Sequence, residues 1–260
     1  MSQPGVKQPE SIESRDNGVT DTGPVWGLPG TILWGLVIAA VFVFGQVFGM
    51  GLFIGLSQAG VDGSSFEQSM GEYRLHGIGI SLGVYCALLF CAPVLLGAIK
   101  LKRGSSIKRY LGLRWFDLRS SGYWFLIIFA CLLAYDGLAY LLDISIVPDF
   151  SIAIYESAEG SWILWLAIVL AAPLLEEMLF RGFLFSGLMT SSLGPAGAIL
   201  TTSLLWAIIH VQYDYFWMLS IYIIGLALGM VRYRTGSIVL TFVLHAAINL
   251  AAMVTTALVV

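Results

Sequence analysis

The chain has 260 residues, of which 58% are apolar and only 11% are Asp, Glu, Lys or Arg, less than half of the ~25% charged residues of a soluble domain. That balance excludes an ordinary soluble protein and predicts an all-α polytopic membrane bundle. A formal charge of −3 with no basic face argues against nucleic acid as a partner. The three cysteines, Cys86, Cys91 and Cys131, lie in apolar runs without CxxC spacing and read as buried free thiols.

Residues 1–26 are polar and lack hydrophobic periodicity, which predicts a disordered tail ahead of a membrane domain over 27–260. Apolar runs follow at about 28–56, 78–99, 122–142, 162–189, 195–212, 215–233 and 237–259, each near the ~20 residues needed to cross a bilayer. The expected count is therefore about seven transmembrane helices. The first run is too long for a cleavable signal core and reads as a retained helix.

Between the second and third runs stand Lys100, Lys102, Arg103, Lys108, Arg109, Arg114 and Arg119 against a single acid, Asp117, which marks that loop as cytoplasmic. Arg232 and Arg234, read as loop residues, fall on the same side. The opposite loops carry Asp62, Glu67 and Glu72 with one Arg74, then Asp149, Glu156 and Glu159 with no base. The amino terminus is thus expected inside and the carboxyl terminus outside. The basic loop can also rest on anionic lipid headgroups through Trp115 and its Arg neighbours. Gly45 with Gly49, Gly51 with Gly55, and Gly225 with Gly229 have the spacing that lets membrane helices approach closely. No internal repeat or matching pair of interrupted helices supports a transporter.

Ionisable residues inside spanning segments are costly, so each asks for a function. Glu176 and Glu177 sit together in Leu174-Leu175-Glu176-Glu177-Met178-Leu179-Phe180-Arg181-Gly182. Glu177 and Arg181 are four apart, the favourable order for a helical ion pair, while Glu176 is rotated by about 100°. The pairing leaves Glu176 without a cation of its own and makes it the candidate base, with Glu177 and Arg181 in support. The opposite assignment stays open, because a helix near Pro173 need not be ideal. His210 shares a helix face with Trp206, and His245 shares one with Asn249. No motif claims Asp136, so a hydrogen bond to a neighbouring helix and a catalytic role both remain open for it.

In this order, Glu176-Glu177-x-x-x-Arg181, an aromatic four residues before His210, and His245-x-x-x-Asn249 resemble the three motifs of the CAAX protease and bacteriocin-processing (CPBP) intramembrane protease family. The family's eukaryotic branch includes the Ras-converting CAAX prenyl endopeptidase. The resemblance covers about 160–255, the expected catalytic core, and departs in having Trp206 where Phe is usual. It implies hydrolysis of a peptide bond in a membrane-associated protein or peptide. By analogy Glu176 and His210 hold and deprotonate a water, while His245 and Asn249 donate to the oxyanion.

Glu176, His210 and His245 could also supply a carboxylate and two imidazoles to one divalent metal, zinc being the usual ion for that set. The expectation adopted is that no cofactor is required. A non-enzymatic membrane scaffold or immunity protein, and an ion-coupled transporter, are the alternative functions. The expected partners are membrane lipids and a membrane-anchored, lipidated substrate, of CaaX or bacteriocin type. Modest length without a targeting segment suits a prokaryotic plasma membrane. If helices begin where the apolar runs do, Glu176, His210 and His245 fall at different depths.

Overall fold

The computed structural model describes residues 22–57, 71 and 73–260. Asp62, Glu67, Glu72 and the first 21 residues of the expected tail lie outside the described residues. The apolar runs become helices: α1 (Leu28–Ser57), α2 (Gly77–Leu101), α3 (Ile107–Leu111), α4 (Leu118–Leu141) and α5 (Asp149–Ser157). The second half continues with α6 (Trp162–Met189), α7 (Gly194–Ile208), α8 (Tyr215–Thr235) and α9 (Ile238–Val259). Among the described residues six helices are long and apolar enough to cross a membrane, which makes the protein a multi-pass membrane bundle. The remaining apolar run, expected over 195–212, is helical only to Ile208. At 15 residues α7 is about 22 Å long.

Local chemistry explains where the helices begin and end. Asp214 caps α8 by accepting from the Trp217 amide at 3.1 Å, and Ser237 caps α9 by accepting from the Leu240 amide at 3.1 Å. Between them Gly236 closes α8 with φ 67°, a left-handed conformation in which glycine has no side chain to clash. α8 therefore runs past Arg232, which is fully buried and is not a loop residue as its charge suggested. Its Nε donates to the Arg181 carbonyl at 2.8 Å, and its guanidinium lies 5.7 Å from the Phe185 ring.

Close helix approach depends on two of the three glycine pairs. A Cβ on Gly45 would lie 2.6 Å from the Ala87 Cα, and one on Gly49 would strike the Leu82 carbonyl, so α1 and α2 meet backbone to backbone. Gly225 and Gly229 set α8 against Ser203, Trp206 and Ile199 of α7. Gly55, by contrast, faces open space.

The two ends of the bundle are sorted by their contacts. At one end the indole of Trp26 donates to the Ala98 carbonyl at 2.9 Å, Ser237 Oγ donates to the Arg114 carbonyl at 2.6 Å, and the Ile238 amide donates to the Gly112 carbonyl at 3.0 Å. Residues 22–26 of the expected tail thus pack beside the basic loop. At the other end α5 lies across the bundle, with Phe150 5.1 Å from the Tyr213 ring and Ser157 Oγ accepting from the Gly77 amide at 2.9 Å.

α4 is the outlying helix. Tyr135, whose hydroxyl donates to the Phe216 carbonyl, ties it to α8. Asp136 is exposed and makes no hydrogen bond among the described residues, so neither role considered for it has a partner there. Of the cysteines only Cys91 is buried; Cys86 is half-buried and Cys131 exposed, because a lipid-facing helix side is as apolar as a core.

Candidate active site

The site grows from irregularities in α6. The amide of Ala172 donates five residues back, to the Ala167 carbonyl, which is the wide π-helical register, and a second π stretch spans Glu177–Leu184. In that register the Ile168 carbonyl would next take the amide of residue 173, but residue 173 is proline and has no N–H. Asn249 supplies the missing donor: its Nδ2 reaches the Ile168 carbonyl at 2.8 Å. The bond joins α9 to α6 one helical stretch away from the glutamates.

Glu177 faces inward and is 1% exposed. Its Oε1 accepts from Arg181 Nη1 at 3.0 Å, the pairing that the four-residue spacing predicts, and from His245 Nδ1 at 3.0 Å. Because a carboxylate accepts, Nδ1 carries the hydrogen, and the other imidazole nitrogen is turned to Glu176. The separation from His245 Nε2 to Glu176 Oε2 is 3.8 Å. The buried carboxylate therefore serves two cations or donors at once, and its Arg181 partner also reaches the Gly225 carbonyl at 3.4 Å.

Glu176 is held differently. Its side chain is 13% exposed, and its Oε2 accepts from Trp206 Nε1 at 2.5 Å. The Trp206 ring is packed between the Arg181 guanidinium, 4.5 Å from its centroid, and the edge of His245 at 5.0 Å. Sequence reasoning placed Trp206 on the His210 face but did not find this bond. The only signal for it was the replacement of the usual Phe by a residue with an N–H.

His210 lies just past the end of α7, where its Nδ1 pairs with the Trp206 carbonyl at 2.7 Å. A carbonyl only accepts, so Nδ1 carries the hydrogen of that bond. No direct hydrogen bond joins His210 to either glutamate. Its ring is 5.4 Å from Trp206 and 6.1 Å from Tyr213. Tyr213 is a second residue the sequence did not single out. Burial pushes its phenol above the ordinary range, the Ser151 hydroxyl opposes that shift, and the charge of Glu176 adds to it.

Glu176 and His245 meet despite the different depths their runs suggest, with Nε2 3.8 Å from Oε2. Arg181 and Trp206 both meet Gly225, the midpoint of α8 (Tyr215–Thr235). The short α7 ends early enough for His210 to turn back at the level of Tyr213. The structure thus brings Glu176, Glu177, Arg181, Trp206 and His245 together, sets His210 beside them, and engages Asn249 with Ile168.

Among the described residues no three His, Cys, Asp or Glu side chains converge at ligand spacing, so Glu176, His210 and His245 do not form the three-ligand set that the sequence allowed.

Fold and site together define a polytopic membrane protein with a buried carboxylate–imidazole–guanidinium centre. Residues 158–251 match the family model described as type II CAAX prenyl endopeptidase Rce1-like, and this segment is therefore similar to CAAX proteases of that type. No curated protein and no solved structure gives a significant match. The matched segment contains every residue of the centre, and the family points to a protease acting with lipids and a membrane-associated substrate.

Proposed function

We propose that the chain is an intramembrane endopeptidase in which Glu176 activates a water against a peptide bond of a lipidated, CaaX-type substrate. The observation that carries the reading is the opposition of Glu176 Oε2 and His245 Nε2 at 3.8 Å, with Glu177 and Arg181 behind them. Glu176 takes a proton from water as the water oxygen bonds to the carbonyl carbon. The displaced electron pair settles on the carbonyl oxygen.

His245, with Nδ1–H anchored on Glu177, meets that oxyanion through Nε2–H in its imidazolium form, and the second N–H of the Asn249 amide is free to assist. Glu177 balances the imidazolium charge. Breaking the C–N bond returns the proton from Glu176 to the leaving amine. His210 offers its Nε2 lone pair to the water's other hydrogen. In this reading the basic loop carrying Lys100 to Arg114 faces the cytoplasm, and the amino terminus lies on that side.

The test is cleavage of a membrane-anchored reporter ending in a prenylated CaaX sequence, reconstituted with purified protein. Glu176→Gln removes the base and should cost ~10²–10⁴-fold. His245→Ala removes an oxyanion donor and should cost ~10²–10³-fold. Both variants must elute as the folded protein. Undiminished cleavage by Glu176→Gln would refute the reading. Extended treatment with a chelator is expected to leave the rate unchanged; loss of activity restored by zinc would overturn the metal-free route.

A further inference from the structure

The hydrogen bond from Trp206 to Glu176 has a consequence beyond cohesion. A carboxylate has two oxygens, and either can serve as base when the group is free to rotate. Here Oε2 is occupied by the indole N–H at 2.5 Å and faces His245. Glu176 Oε1 has no hydrogen-bond partner among the described residues and is not among the enclosed, unpartnered polar atoms. The indole itself cannot shift, since Trp206 is 3% exposed and lies between Arg181, His245 and the close approach of Gly225.

We infer that Trp206 is a positioning residue for the proposed proteolysis: its indole N–H locks Oε2 of Glu176 and so leaves Oε1 as the oxygen that takes the proton from water. The inference rests on the proteolytic reading for its catalytic part, but the lock itself does not. An N–H donated to an ionised carboxylate is among the stronger protein hydrogen bonds. The Arg181 guanidinium on the ring face ties the lock to the Glu177 ion pair, so the two adjacent glutamates are connected through Glu177, Arg181 and Trp206. Phenylalanine at this position could fill the same space and stack on Arg181. It could not hold the carboxylate.

Two measurements separate the lock from the chemistry. With ¹⁵N-indole labelling in nanodiscs, the Trp206 Nε1–H resonance is the one missing in Trp206→Phe, and also in Trp206→Tyr should the first variant fold poorly. Glu176→Gln, which makes the acceptor neutral, should shift that resonance more than any other indole. A resonance that does not move would overturn the lock whether or not the protein is a protease. In the reporter assay, Trp206→Phe should lower kcat roughly 10- to 100-fold, the value of a hydrogen bond to a charged group, and leave KM within about twofold. An unchanged kcat in a folded Trp206→Phe protein would overturn the positioning role. A wild type that cleaves nothing would sink the proteolytic reading and leave the resonance test standing.

Discussion

α1 and α6 are both long apolar helices, yet they solve opposite problems. α1 is regular, exposes much of its length to lipid, and meets α2 where Gly45 and Gly49 let the backbones touch. α6 is broken by two wide π stretches and a proline, and its polar side chains point inward to Trp206 and His245. The contrast shows that regular geometry suffices where a helix only packs, whereas convergence of charged groups at one depth demands local departures from it. Such wide turns are common at functional sites, and here the Ile168 carbonyl is answered by Asn249 and the Arg181 carbonyl by Arg232.

Three experiments would test that contrast. The largest effect is expected at Arg181, which is fully buried: Arg181→Leu leaves the buried Glu177 without its guanidinium, at a cost of about 3–5 kcal/mol. Chemical unfolding in mixed micelles should show it, and a change under 1 kcal/mol would mean that α6 does not depend on the pair. On the α1 side, Gly49→Leu should cost about 1–3 kcal/mol by overpacking against α2. The reporter should nevertheless be cleaved at the normal rate per folded molecule; slowed chemistry would show that the two regions are coupled.

The smallest and most specific effect concerns the proline. Asn249→Ala leaves the Ile168 carbonyl without its donor and should cost about 1 kcal/mol. In a Pro173→Ala background the backbone regains an N–H, so the same substitution should cost measurably less. Equal costs in both backgrounds, read as a double-mutant cycle, would break the link between the proline and Asn249.

Much of the architecture was legible because lipid imposes length and polarity on each span. Six of the seven apolar runs are helices of spanning length, and the Glu177–Arg181 pair follows from spacing alone. α7 was read too long because Ile209 and Val211 are apolar although the helix ends at Ile208. Hydropathy reports the environment of a residue, not its backbone. Arg232 was misplaced for the converse reason: a charge near a helix end looks solvated until Gly236 shows where the helix stops.

The membrane character, the helical class and the set of polar residues that had to meet were determined by the sequence, because an ionisable group in an apolar run has few tolerable environments. Only the tertiary structure decided the partners. Which donor binds Glu176, which carboxylate orients His245, and that Asn249 answers Pro173 depend on rotations set by π-helical turns and by glycine contacts between helices distant in the chain. Spacing within one helix cannot encode those rotations, since they arise where separate helices press against one another.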